Sequence, residues 1–138
     1  MKHSLICLCG LPRSGKTTWA QKTRHPIVNP DSIRLALHGQ RYVELAEPFV
    51  WATAKVMVRA LFLAGHRWII LDATNGNKKR RAEWFDDLWD TRWKVIDTSK
   101  DTCISRAMAT NDMEIIPVIE RMASSWEPLD SSAKLCDW

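Results

Sequence analysis

A glycine-bounded loop near the start of the chain constrains the fold more than any other sequence feature. The loop, G-L-P-R-S-G-K-T at residues 10–17, directly follows the short apolar run at residues 4–9. The apolar run predicts a buried strand, and the residues from Gly15 to about Arg24 predict a helix. The loop therefore has to turn the chain sharply from a strand into a helix, which is the first half of a β-α-β unit.

The rest of the chain alternates short apolar runs with helical patterns. Further strands are predicted at 27–28, 68–71 and 93–96, and helices at 30–38, 48–64, 78–89, 102–110 and 116–125. This alternation predicts an α/β fold with a small parallel sheet of about four strands and helices on both faces. With 138 residues, we expect a single domain spanning residues 1–138.

The composition indicates the cellular location of the protein and the charge of its substrate. No apolar run approaches the roughly 18 to 20 residues of a membrane span, so no membrane partner is expected. The four cysteines (Cys7, Cys9, Cys103 and Cys136) form no C-x-x-C pair, which predicts free thiols and a cytoplasmic location. A net charge of +4 fits a polyanionic substrate. Composition leaves the oligomeric state open.

The loop also fits G-x-x-x-x-G-K-[ST], a pattern that cradles phosphates. Glycine lets the backbone N–H groups turn inward, and the following helix adds its positive end. In this pattern Lys16 reaches the β- and γ-phosphates, and the Thr17 hydroxyl binds Mg²⁺. We therefore expect ATP and Mg²⁺ as cofactors. The predicted nucleotide-binding residues are Gly10, Leu11, Pro12, Arg13, Ser14, Gly15, Lys16, Thr17 and Thr18.

Two absences from the sequence favour a kinase over other nucleotide-binding proteins. A GTPase would carry N-K-x-D, but the nearest run, N-K-K-R at residues 77–80, lacks the aspartate. A motor ATPase would place a glutamate after its strand-end aspartate, but the run at residues 71–74 is L-D-A-T. In a kinase the acceptor hydroxyl takes the place of the water that such a glutamate activates.

Polar residues after the predicted strands supply candidate catalytic groups. Asp31 and Arg34 share one helix face. Asp31 could accept the proton of the acceptor hydroxyl, and Arg34 could orient that hydroxyl or bind a substrate phosphate. An ordinary surface ion pair fits the spacing equally well. Asp72 is an indirect partner for Mg²⁺, a substrate contact or a strand-end cap. Thr74 and Asn75 follow Asp72 and are candidate substrate contacts.

Basic residues provide candidates for binding phosphate. The run at residues 78–81, K-K-R-R, opens a predicted helix, where the helix dipole disfavours cations. A phosphate-facing role and a solvated face remain equally open for this run. Arg106 lies on a helix expected to close over the phosphates as a lid, within about residues 100–126, where it would stabilise the transferred group. Its alternative is a surface arginine.

Taken together, these segments resemble the polynucleotide 5′-kinase branch of the P-loop kinases, as in the kinase domain of phage polynucleotide kinases. The matching segments are residues 10–19, 29–34, 72–84 and 101–126, which span nearly the whole chain. The resemblance implies transfer of the γ-phosphate of ATP to a 5′-hydroxyl end of DNA or RNA. It also implies that Asp31 is the general base, that Arg34 assists it, and that Arg80 lies on the substrate side.

The sequence departs from that family at two positions. Thr110 stands where the lid often carries a second arginine, and Arg13 stands where relatives often have glycine. Arg13 would therefore crowd the loop or add a phosphate contact. Two alternatives stay open: a P-loop kinase for a small molecule or a hydroxymethylated DNA base, and a non-catalytic nucleic-acid-binding switch. The Asp31–Arg34 pair argues against the switch, because a switch needs no base.

Overall fold

The computed structural model describes residues 3–138, and within them four strands form one parallel sheet. The strands are β1 (His3–Cys9), β2 (Ile27–Val28), β3 (Trp68–Leu71) and β4 (Trp89–Val95), in the order β2-β3-β1-β4. The register pairs Leu5 with Ile69 on one side and with Thr91 on the other. The predicted small parallel sheet is thus confirmed, and β1, which leads into the glycine-bounded loop, lies inside it.

Helices cover both faces of the sheet, as the sequence predicts. They are α1 (Lys16–Thr23), α2 (Pro30–His38), α3 (Glu47–Leu63), α4 (Lys78–Ala82), α5 (Lys100–Ala109) and α6 (Ile116–Ser124), with 3₁₀ turns at Glu44–Ala46 and Met113–Ile115. Among residues 3–138, no helix combines the length and the apolar character needed to span a membrane.

The prediction of a helix over residues 78–89 is wrong, because α4 ends at Ala82 and β4 begins at Trp89. In residues 83–88, backbone N–H and C=O groups form hydrogen bonds with side chains instead of the bonds that a continuing helix would need. The Asp86 carboxylate accepts the backbone N–H two residues further on, at 2.9 Å. The carbonyl of Trp84 accepts the Trp89 indole N–H at 2.8 Å and the Thr91 hydroxyl at 2.7 Å.

Side chains that alternate along β1 divide the core between the two faces of the sheet. Leu5, Cys7 and Cys9 pack in the cluster on the α3 side, whereas Ile6 and Leu8 pack with α1. A third apolar cluster joins α5 and α6. The four cysteines are buried free thiols, as predicted. Because β1 and β3 are parallel neighbours, the loop after β1 and Asp72 after β3 lie at the same edge of the sheet.

Candidate active site

The glycine-bounded loop leaves the carboxyl end of β1 and enters α1 at Lys16. A Cβ at Gly10 would lie 2.7 Å from the Ser14 hydroxyl oxygen and 3.0 Å from the Ile96 carbonyl oxygen, so a side chain does not fit there. Gly15 adopts a φ of +99°, which L-residues rarely adopt. Both glycines are therefore required by the loop itself, independently of any ligand.

Lys16 is buried inside the loop. Its ammonium Nζ donates to the Leu11 carbonyl at 2.7 Å, and the Ser14 hydroxyl lies 3.5 Å away. Burial lowers the pKa of Lys16, and the nearby carboxylates of Asp72 and Asp31 oppose that shift. The ammonium is thus held by neutral groups, which phosphate oxygens would replace with a stronger, charge-assisted interaction.

Thr17 and Asp72 meet beside the loop. The Thr17 hydroxyl donates to the Asp72 carboxylate at 2.7 Å, and the Asn29 side-chain amide donates to the same oxygen at 3.2 Å. Asp72 is 4% exposed, and burial raises its pKa. A hydroxyl and a carboxylate are the hard oxygen ligands that suit Mg²⁺. Among residues 3–138, no group of three or more His, Cys, Asp or Glu side chains is placed to hold a metal ion.

Asn29 has a second contact that sequence analysis missed. Its Oδ1 accepts the backbone N–H of Asp31 at 2.8 Å and caps α2, which the sequence predicts from the cap position. Its Nδ2 reaches Asp72 instead, a contact made across 43 residues of chain. This one side chain therefore ties the first turn of α2 to the end of β3.

Asp31 and Arg34 form an ion pair at the start of α2. Arg34 Nη1 donates to Asp31 at 2.8 Å, and the Asp31 side chain is 83% exposed while that of Arg34 is 15% exposed. The backbone N–H of Asp31 donates to Asn29, and the Asn29 amide donates to the Asp72 carboxylate. The same carboxylate accepts from Thr17 of the loop. The structure thus links an accessible carboxylate to the loop through Asn29 and Asp72, and its partner Arg34 is mostly buried.

Glu47 anchors that arginine from the first turn of α3. Its two carboxylate oxygens accept from Arg34 Nε at 2.9 Å and from Arg34 Nη2 at 2.7 Å. These hydrogen bonds lower the pKa of Glu47. Sequence analysis missed Glu47, because no local spacing connects it with a residue thirteen positions earlier.

Trp51, one turn after Glu47, lies between two arginines. The Arg80 guanidinium carbon is 3.9 Å from the centroid of the Trp51 ring, and that of Arg34 is 5.8 Å from it. Arg80 also pairs with Glu83 at 2.8 Å. Arg80 is therefore brought to the same aromatic ring as the Asp31–Arg34 pair, although 46 residues separate the two arginines along the chain.

The structure does not bring Asn75 to the surface expected for a substrate contact. Asn75 is 1% exposed, and its Nδ2 donates to the Leu8 carbonyl at 2.7 Å. Its own carbonyl accepts from buried Arg81, whose guanidinium also reaches the carbonyls of Glu127 and Pro128. Asn75 and Arg81 fasten the end of β3 to the segment after α6. Thr74 is only partly buried.

The α5 helix lies over the loop through Arg106, whose Nη1 donates to the Arg13 carbonyl at 3.1 Å. Arg13 itself adopts a φ of 68°, which explains why glycine suits this position. Its guanidinium points to Asp112, between α5 and α6, at 2.8 Å. The Thr110 hydroxyl donates to carbonyls of its own helix. Arg106 is thus the α5 arginine in contact with the loop among the described residues.

Comparisons with known proteins identify the family and the fold. A family model described as AAA domain matches residues 5–127. No curated protein is significantly similar in sequence. A chain from the Pnkp1/Rnl/Hen1 complex is similar, with 27% identity and a TM-score of 0.67 over 76% of this chain and 39% of that chain.

Other solved structures share the fold at lower identity. A chain of the Pnkp1/Rnl/Hen1 RNA repair complex has 18% identity and a TM-score of 0.67, covering 99% of this chain and 50% of that one. An unliganded sugar kinase from Janibacter sp. HTCC2649 has 15% identity and a TM-score of 0.71, covering 99% and 84%. The chain spans half or less of the length of the two RNA repair chains. The chain belongs to the AAA domain family that matches residues 5–127, and it has the α/β fold of a P-loop kinase-type domain.

Proposed function

We propose that this protein transfers the γ-phosphate of ATP to a 5′-hydroxyl end of DNA or RNA. The observation that carries the proposal is the exposed Asp31 carboxylate, which Arg34 holds and which Asn29 and Asp72 connect to the phosphate-binding loop. A kinase needs such a base to take the proton of the incoming hydroxyl. A nucleotide switch would not need one.

The nucleotide is assigned to the loop and the start of α1, residues 10–18. Backbone N–H groups and the positive end of α1 would face the phosphates, with Lys16 on the β- and γ-phosphates. Thr17 would bind Mg²⁺ directly, with Asp72 behind it, and the hydrogen bond of 2.7 Å between them supports this pairing. When bound, the ion neutralises charge that develops on the phosphates.

The remaining steps belong to side chains around the loop. Asp31 accepts the proton of the acceptor hydroxyl as that oxygen attacks the γ-phosphorus, and ADP leaves in line with the attack. Arg34 orients Asp31, and Arg106 stabilises charge on the transferred group from above the loop. Arg80 and Thr74 are assigned to the substrate side.

Two observations support a nucleic-acid acceptor. The similar chain at 27% identity comes from the Pnkp1/Rnl/Hen1 complex, and a second structure of that complex is described as an RNA repair complex. The Asp31 side chain is 83% exposed, so a large acceptor can reach it without being enclosed.

A small-molecule acceptor is the second candidate, because a cavity of about 490 Å³ opens beside Thr17 and Asp72. It lies between α1, α2 and α3 and is lined in part by Ile33, Leu37 and Met57. A cavity of this size can take a small organic molecule. The sugar kinase shares the fold alone, so the cavity is the observation that favours this candidate.

The test is transfer of labelled phosphate from γ-labelled ATP with Mg²⁺. The acceptors are 5′-hydroxyl oligonucleotides, the same strands already 5′-phosphorylated, DNA with hydroxymethylated bases, and small alcohols and sugars. Label on 5′-hydroxyl strands alone supports the proposal, whereas label on the modified base or on small molecules refutes it. Asp31→Asn should lower the rate of transfer by about 10²–10⁴. Asp87→Asn, which changes an exposed acid away from the loop, should leave the rate unchanged.

A further inference from the structure

A second cavity, of about 500 Å³, lies at the opposite end of α1 from the loop. It is formed where α1 ends and β3 begins, and three tryptophans dominate its walls. The lining residues are Trp19, Lys22, Thr23, His25, Trp68 and Trp138. The active site uses none of them, so this cavity needs its own explanation.

The tryptophan rings are arranged around Trp138. Trp19 is stacked on Trp138, with ring centroids 5.6 Å apart and planes inclined by 17°. Trp68 meets Trp138 edge-on at the same distance, and His25 stacks on Trp68 at 6.2 Å. Even within this cluster Trp138 remains 43% exposed, so a ligand can reach part of this residue.

The segment that carries Trp138 is fixed to the sheet. The Trp93 N–H donates to the Lys134 carbonyl at 2.9 Å, and the Cys136 N–H donates to the Trp93 carbonyl at 2.8 Å. Cys136 is buried in the α1-side core. Backbone pairing with β4 therefore holds the segment up to Cys136, two residues before Trp138.

Positive charge surrounds the aromatic walls. Lys22 lines the cavity and is exposed, and Lys94 lies with its ammonium 5.5 Å from the Trp19 ring centroid. Arg24, next to His25, is also exposed. None of the described lining residues is an acid; Asp137 neighbours Trp138 but does not line the cavity.

We propose that this cavity binds an unpaired base of a single-stranded nucleic acid, as a second contact for the strand whose 5′ end enters the active site. Open aromatic faces stack on any base, and adjacent cations attract the backbone phosphates. An aliphatic protein partner would not require this combination of rings and cations. The link to the 5′ end rests on the proposed function, but binding of the strand does not.

The position of the cavity sets a minimum length for the strand. The eight residues of α1 span about 12 Å at 1.5 Å per residue. One strand of duplex DNA rises about 3.4 Å per nucleotide, and an unpaired strand can be more extended, so a few nucleotides cover that distance. A single nucleotide has only one base and cannot place its 5′-hydroxyl in the active site and a base in the cavity at once. A nucleoside 3′-monophosphate should therefore reach the loop but not the cavity.

The first experiment measures binding of a labelled, 5′-phosphorylated twelve-nucleotide strand to the full chain by fluorescence anisotropy. This strand cannot accept phosphate, so the readout is independent of catalysis. Trp138→Ala and, separately, Lys22→Glu should weaken binding at least about five-fold, the lower end of what one stacked base contributes. The control is Phe85→Ala, which removes an exposed aromatic ring elsewhere on the surface.

Lys22→Glu changes an exposed residue and keeps the result interpretable if Trp138→Ala disturbs the fold. Unchanged affinity in Lys22→Glu and in a folded Trp138→Ala overturns the proposal, even if the protein phosphorylates 5′ ends. A drop confined to these two variants supports it, even if no 5′ transfer is found. An equal drop in Phe85→Ala also overturns it.

The second experiment compares phosphorylation of a nucleoside 3′-monophosphate and of a twelve-nucleotide strand, and it tests the link to the 5′ end. Trp138→Ala should raise KM for the twelve-nucleotide strand and leave KM for the mononucleotide unchanged. Equal effects on both acceptors refute the link.

Discussion

Glu47 should control activity although it lies away from the phosphate-binding loop. It holds Arg34 by two hydrogen bonds, at 2.9 and 2.7 Å, and Arg34 holds Asp31. Glu47→Gln keeps the shape but removes the charge, so one Arg34 N–H would face the amide NH₂ group, which cannot accept a hydrogen bond. Arg34 then holds Asp31 less firmly, while the loop to which we assign ATP is unchanged.

The magnitude follows from the burial of this pair. Both side chains are about one-sixth exposed, at 15% for Arg34 and 17% for Glu47, so water cannot fully replace the lost contact. A hydrogen bond to a charged group contributes about 1.5–3 kcal/mol, and Glu47→Gln keeps part of it. We expect a loss of about 1–2 kcal/mol in unfolding free energy. Small displacements of catalytic groups lower the reaction rate by up to about 100-fold. We therefore expect kcat to fall about 10- to 100-fold.

The assay combines thermal unfolding with steady-state kinetics on a 5′-hydroxyl oligonucleotide. KM for ATP should stay constant while kcat falls. Glu44→Gln, which makes the same charge change on an exposed residue three positions earlier, is the matched control. Wild-type kcat and unfolding temperature in Glu47→Gln would refute the anchoring role.

The same substitution has a pH signature. Arg34 lowers the pKa of Glu47, so Glu47 stabilises the fold above the unfolded-state value of about 4.3. That stabilisation is lost as the pH falls through the lower, folded-state pKa. The difference in stability between the wild type and Glu47→Gln should therefore be full at pH 7 and shrink below about pH 4.

Further predictions concern the loop, the base and the buried acids. Lys16→Ala should abolish transfer and weaken ATP binding. Asp31→Asn should lower kcat by about 10²–10⁴ without changing the ATP affinity measured by calorimetry. An equal loss of ATP affinity in both variants would contradict these roles. Burial raises the pKa of Asp72 in the metal-free protein, so protons should begin to compete with Mg²⁺ at a pH above the ordinary aspartate value of about 3.9, as titrations of Mg²⁺ at a series of pH values would report. Burial raises the pKa of Cys9 to about 11, so iodoacetamide at pH 8 should label it only after unfolding, as mass spectrometry would report.

Much of the fold follows from local patterns in the sequence. The apolar run before Gly10 and the helix after Gly15 could be predicted because strand, turn and helix signals are all local. The cap at Asn29 and the start of α2 could be predicted for the same reason. The region at residues 83–88 could not, because its apolar spacing fits a helix while its backbone is held by side chains from β4.

The sequence by itself determined the phosphate-binding motif and the polar residues at the strand ends, because each depends on neighbours within about one turn. Only the tertiary structure decided which of those residues meet. It joined Thr17 to Asp72, anchored Arg34 on Glu47 and buried Asn75, through contacts between residues 13 to 67 positions apart. Such contacts depend on how strands and helices pack, and spacing along the chain carries no signal of that packing.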